Sequence, residues 1–166
     1  MPSILFVCTA NRFRSPIAEI AFATESNKRK IDRYLTISSA GTWTMDGLPA
    51  TTEAQEEAVT HGLNLTLHKS RVITKKILTQ ADLVLVMEHN HKEAIIQEFP
   101  FSAPKVFLLS EAADGKAYDI PDPYGTDEPP DVVAKEIIDI INHGYQEIIK
   151  LALQLEDIRH KNPNND

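Results

Sequence analysis

The sequence has one cysteine in 166 residues, Cys8. A single cysteine excludes an intramolecular disulfide and an all-cysteine metal site within one chain. Positive charge is also in short supply. Seventeen Lys and Arg stand against 24 Asp and Glu, for a net charge of -7 and a pI near 5.3. That balance argues against general nucleic-acid binding and requires any phosphate site to be locally positive against an acidic background. No apolar run approaches the roughly 20 residues that a membrane-spanning helix needs. No basic region precedes the first apolar stretch, so no secretory signal is expected and the cytoplasm is the expected location. Internal repeats, low-complexity tracts and interdomain linkers are also missing. Hydrophobic content of 42% and charged content of 25% are ordinary for a globular chain. The length fits one domain, expected over residues 1–158, with a polar tail over 159–166.

Against this background Cys8 is well placed. It stands in Phe6-Val7-Cys8-Thr9-Ala10-Asn11-Arg12-Phe13-Arg14-Ser15-Pro16. Ile4-Leu5-Phe6-Val7 reads as a buried strand. Pro16 and the pattern after it read as a helix start. The intervening loop would aim backbone N–H groups and the positive helix end at one point, which suits an oxyanion. A free thiol is mostly neutral at pH 7, and a helix N-terminus with a nearby arginine favours the nucleophilic thiolate. Arg14 is the telling residue. A cation in the first helical turn opposes the macrodipole unless an anion sits beside it. The candidate anions are the Cys8 thiolate and a bound phosphate, which the guanidinium fork matches bidentately.

Further along, strands and helices alternate. Strands are expected at 34–40, 82–87 and 105–109, and helices at 51–61, 74–80, 90–98 and 132–158. Ala54, Ala58 and Val59 would share one face of the helix at 51–61. Ile137, Ile138, Ile141, Ile148, Leu151, Leu155 and Ile158 form the apolar stripe of the last helix, with Gly144 as its weak point. Alternating β and α segments predict a parallel sheet covered by helices on both faces, with ligands at the carboxyl ends of the strands. Cys8 lies at such an end.

A thiolate that cleaves a phosphate ester also needs a proton donor for the leaving group. Two prolines bracket Asp122 in Asp119-Ile120-Pro121-Asp122-Pro123-Tyr124-Gly125. They could hold a carboxyl over a pocket, although a simple Asp-Pro turn has the same composition. Asp119 is the rival acid and lacks the bracketing.

Together these residues resemble the low-molecular-weight protein tyrosine phosphatases. The similarity continues through Ser39-Ala40-Gly41-Thr42, His61-Gly62, His68-Lys69-Ser70-Arg71 and Asp82-Leu83-Val84-Leu85-Val86-Met87, and covers the chain from Ser3 to about Leu155. The resemblance implies an α/β, flavodoxin-like three-layer sandwich with a four-stranded parallel sheet. It implies an enzyme acting on phosphorylated proteins without metal or cofactor; a monomer is expected. Cys8 would be the nucleophile, Asp122 the acid and then the base, and Arg14 with the amides of residues 9–14 the oxyanion binder. Ser15 would donate to the thiolate. Asn11 would hold the loop in a strained conformation, supported by His68 and Ser39. Tyr124 and Phe13, with Trp43, would wall the pocket.

Three residues depart from the family pattern. Ala10 replaces a common glycine. Phe13 replaces a second cysteine, so oxidised Cys8 would have no disulfide partner in its own chain. Arg12 stands at the pocket mouth, where it would favour substrates with acidic neighbours. Gly125 also stands where a second aromatic is common. Arg12 and the missing second aromatic keep open a phosphoarginine phosphatase on the same scaffold. A related arsenate reductase that relays oxidation through its own chain would need further cysteines, so that reading requires an external thiol. The retained Cys8, Arg14 and Asp122 speak against a non-catalytic phosphate-binding protein.

Overall fold

The structure is a computed structural model that describes residues 1–161. Its four strands are β1 (Ser3–Cys8), β2 (Thr36–Gly41), β3 (Leu83–Val86) and β4 (Val106–Leu108). All pair in parallel in the order β2-β1-β3-β4, the flavodoxin-like arrangement. In register, Cys8 lies opposite Gly41 and Val7 opposite Val86. β1 and β3 are central, covered on both faces, and so read as continuous apolar runs. The strand order reverses between them, which opens a crevice at their carboxyl ends.

Helices α1 (Arg14–Lys28), α2 (Thr52–Thr60), α5 (Leu109–Asp114) and α6 (Pro130–Lys161) cover one face. Ile4, Phe6, Ile17, Phe22, Ile137, Ile141 and Ile148 fill that core. Helices α3 (Lys75–Gln80) and α4 (His89–Glu98) cover the other face, where Leu5, Val7, Val84 and Val86 meet Leu78 and Ile95. Helix α6 has Pro130 at its first position, Asp131 in its first turn and Arg159, His160 and Lys161 in its last, all favourable to the macrodipole. Among the described residues no helix is long and apolar enough to cross a membrane.

The expected pattern needs several local corrections. Strand β2 starts at Thr36, because Asp32–Tyr34 forms a 3-10 turn that leaves Tyr34 exposed. Ala54 and Ala58 are buried, but Val59 points to solvent at 70% exposure. Ile158 is likewise exposed, one turn past the end of the core it was expected to meet. Arg159 to Lys161 continue α6, where Arg159 Nε lies 2.9 Å from Asp82 Oδ1. The rest of the expected tail, 162–166, lies outside the described residues. The 3-10 segment Pro100–Lys105 and helix α5 were not expected.

Candidate active site

The loop after β1 is pinned from several sides. Helix α1 begins at Arg14, two residues before the expected start, and Pro16 falls in its first turn, where no N–H is required. Thr42 N donates to Cys8 O and Trp43 N to Thr9 O, both at 3.0 Å. Gly41 makes that approach possible: a Cβ there would stand 2.5 Å from Thr9 O. Asn11 is fully buried with φ 54, in the left-handed region that asparagine tolerates better than most residues. Every polar group of its side chain is used. Nδ2 donates to Ser15 Oγ (2.9 Å) and Ser39 Oγ (2.8 Å), and Oδ1 accepts from Arg71 N (2.9 Å). His68 Nε2 lies 2.8 Å from the Asn11 carbonyl.

The same chain of contacts orients the thiol's neighbour. Ser15 Oγ accepts from Asn11, so its own proton can point at Cys8 Sγ, 3.0 Å away, the other acceptor in reach being Ala40 O at 3.5 Å. Ser39 Oγ in turn donates a hydrogen bond to Glu19 Oε2 at 2.5 Å. Glu19 was not anticipated from the sequence.

Arg14 is 2% exposed and carries more partners than expected. Nη1 donates to Ile120 O (2.9 Å) and lies 3.2 Å from Glu88 Oε2; Nη2 lies 3.1 Å from Asp122 Oδ2. Two carboxylates therefore balance the cation at the helix start. Asp122 Oδ1 in turn accepts from Tyr124 N at 3.0 Å. The rival acid, Asp119, instead caps α4, accepting from His89 N and pairing with His89 Nδ1.

Cys8, Arg14 and Asp122 line one cavity of about 340 Å³, with Ala10, Arg12, Phe13, Thr51 and Tyr124. Phe13 meets Tyr124 edge-on, ring centroids 5.9 Å apart at 84°. The Tyr124 hydroxyl donates to Glu53 Oε2 at 2.9 Å and accepts from Thr51 Oγ1 at 2.8 Å, which fixes that wall. Burial raises the Tyr124 hydroxyl above its ordinary range; the hydrogen bond from Thr51 opposes this, and the hydrogen bond and charge of Glu53 add to it. Arg12 Nε donates to Pro49 O at 2.8 Å, and among the described residues no carboxylate lies within ion-pair distance of its guanidinium. Trp43 does not join this wall. It is 84% exposed, so it is neither core nor cavity lining, and its contribution is the backbone N–H to Thr9. A larger groove of about 580 Å³ between α5 and α6 contains no such constellation.

Sequence reasoning missed Glu88 and His91, which follow β3 at the strand-order reversal. His91 Nε2 lies 2.8 Å from Thr9 Oγ1. Burial, then the Arg14 charge, lower the His91 ring to about 4. The signal was available: Glu88-His89-Asn90-His91 is a polar cluster at the carboxyl end of a buried strand.

The chain is similar to known proteins in sequence and in fold. A family model described as low molecular weight phosphotyrosine protein phosphatase matches residues 3–161. A protein-arginine-phosphatase of Bacillus subtilis is 36% identical over 122 residues, 74% of this chain and 79% of that protein. The low molecular weight protein-tyrosine-phosphatase Ptp of Acinetobacter johnsonii is 38% identical over 126 residues, 76% of this chain and 82% of that protein. Among solved structures, a YwlE mutant from Bacillus subtilis superposes with a TM-score of 0.79 at 31% identity, covering 94% of this chain and 99% of that one. A low molecular weight protein tyrosine phosphatase from T. tengcongensis gives 0.79 at 33% identity, covering 90% and 99%.

Proposed function

From the premise that this chain belongs to the low molecular weight phosphotyrosine protein phosphatase family, we propose that Cys8, Arg14 and Asp122 carry its hydrolysis of phosphotyrosine in proteins. The observation that carries this reading is their meeting in one cavity. The Cys8 thiolate attacks phosphorus in line, forming an S–P bond as the P–O ester bond breaks. Asp122, protonated at that point, delivers its proton to the leaving phenolate oxygen. Asp122 then removes a proton from water. That water attacks phosphorus, the S–P bond breaks, and inorganic phosphate leaves with the thiolate regenerated. Arg14 and the loop amides hold the equatorial oxygens, where charge rearranges in the transition state. The Ser15 hydroxyl steadies the thiolate as attacker and as leaving group.

Phosphate entry exchanges one anion for another at Arg14. Nη1 is occupied by Ile120 O and Glu88, so the incoming group competes with Asp122 for Nη2. Displaced from Arg14, the Asp122 carboxyl is free to turn to the leaving group. The substrate ring would lie against Phe13 and Tyr124. The enzyme is proposed to act as a monomer in the cytoplasm, where a reducing environment suits a lone reactive cysteine.

The arginine-phosphatase relative favours a second substrate class, phosphoarginine. Arg12 argues against it here, since a phosphorylated guanidinium would bring positive charge to a mouth already holding an arginine without an acidic partner. The deciding experiment is p-nitrophenyl phosphate hydrolysis without added metal, followed by paired assays on phosphotyrosine and phosphoarginine peptides. Cys8→Ser should abolish turnover, and Asp122→Ala should lower kcat about 10²–10⁴-fold. Arg12→Ala should raise the phosphoarginine-to-phosphotyrosine ratio of kcat/KM about tenfold. An inactive folded, reduced wild type, or an active Cys8→Ser, would refute the mechanism. A wild type that prefers phosphoarginine would refute the substrate.

A further inference from the structure

Behind the loop, His91 is 3% exposed and contacts two different elements through its two ring nitrogens. Nδ1 receives the Glu88 backbone N–H at 3.2 Å. An amide N–H can only donate, so Nδ1 holds a lone pair and the ring proton of the neutral imidazole sits on Nε2. Nε2–H then donates to Thr9 Oγ1 at 2.8 Å, with Glu88 Oε2 3.6 Å from the same nitrogen. Thr9 Oγ1 also lies 3.5 Å from Arg14 Nη2. The tautomer is thus dictated by the helix turn, and it makes the ring a donor toward the loop.

Thr9 is the first residue after the nucleophile. Its carbonyl is held from the β2 side by Trp43 N. Without His91 its side chain would lose its anchor on the β3 side. We propose that His91 is a positioning residue for phosphoryl transfer: its Nε2–H to Thr9 Oγ1 hydrogen bond fixes the start of the oxyanion-binding loop beside Arg14. The proposal rests on the reading of Cys8 as nucleophile. Loop donors stabilise a transition state only if they are held in place beforehand, and misplacement by about 1 Å can cost about 10²-fold in rate. Neutrality suits the role, because a second cation packed near Arg14 would disturb the guanidinium it helps to hold.

The bland alternative is that His91 only caps α4 through Nδ1. The two nitrogens allow the roles to be separated. Asparagine places a polar atom near Nδ1 and retains the cap, but falls short of Thr9. Glutamine reaches to the Nε2 position and retains the donor, but gives up the cap. Each variant is assayed for p-nitrophenyl phosphate kcat and KM and for midpoint of urea unfolding. His91→Asn should lower kcat about tenfold, the scale of one lost hydrogen bond, with KM moving less than about threefold and the midpoint near wild type. His91→Gln should keep kcat within about threefold while its midpoint falls. Thr9→Val should lower kcat about as far as His91→Asn, and the double variant should lose little more than either. Wild-type kcat in His91→Asn would overturn the proposal. So would equal kcat losses in both His91 variants, or fully additive losses in the double variant. An inactive wild type would overturn the Cys8 reading and this proposal with it, whereas an active wild type with any of the former results would overturn this proposal alone.

Discussion

At the scale of single residues, His91 makes a prediction that needs no substrate. Its ring is lowered to about 4 by burial first and Arg14 second, against an ordinary value of 6.5. Between those values the unfolded chain binds a proton there that the folded chain does not. Stability therefore rises with pH across this window, and is lost as pH falls from about 6.5 toward 4. A shift of this size corresponds to about 3 kcal/mol, fully developed only below the folded value. Carboxylates titrate in the same range, so wild type must be compared with His91→Gln, which has no proton to gain. Urea unfolding at steps from pH 7 to 4 should show the wild-type midpoint falling more steeply than that of the variant. Parallel curves would show that the ring is not held neutral by the fold. Short sequence spacing made Cys8 and Arg14 legible in advance, whereas the flanking prolines left Asp122 open to a simple turn and only the family resemblance singled it out. Glu88 and His91 were not legible, because they reach the loop from the segment after β3, nor was Glu19, which touches Ser39 rather than the loop itself.

At the scale of elements, what was readable followed the strength of the local pattern. Strands β1 and β3 are uninterrupted apolar runs in the middle of the sheet, and α6 carries a sustained stripe, so all three were visible. Helix α5 was hidden because Leu109 extends the apolar run of β4 without a break, so the boundary has no sequence mark. Gly144 was misread for a related reason. Glycine weakens an isolated helix, but here it is the point where α6 crosses α5. A Cβ at residue 144 would stand 2.3 Å from Ala113 Cβ and 2.6 Å from its Cα. Gly144→Ala would gain about 1 kcal/mol of helix propensity. It would also force the short helix α5 away from the long helix α6, and overpacking of this kind costs about 1–3 kcal/mol, at its upper end where backbone must move. The substitution should therefore destabilise, by about 1–2 kcal/mol net, in urea unfolding. A variant as stable as wild type would mean that α5 yields freely.

At the scale of the whole molecule, the site and the core are one body. Cys8 belongs to the same buried cluster as Phe22, Ile141 and Ile148. Ile120, whose carbonyl holds Arg14, is fully buried in that cluster too, two residues before Asp122. The loop that carries Asp122 is thereby fastened to the core that carries Cys8, on both sides of one guanidinium. We therefore expect residues 1–158 to unfold as a single domain, and a ligand at the loop to stabilise all of it. Phosphate at about 100 times its Kd should add about 2.7 kcal/mol, if it binds only the folded state. Phosphate also stabilises proteins without binding a site, so ionic strength is held constant and the gain must follow the logarithmic form of site binding. Urea unfolding followed by far-UV circular dichroism should show one transition, displaced as a whole. A first transition that phosphate leaves in place would mean that part of the chain opens independently of the loop. In that case the contact between Arg14 and Ile120 would not couple the segment carrying Asp122 to the core.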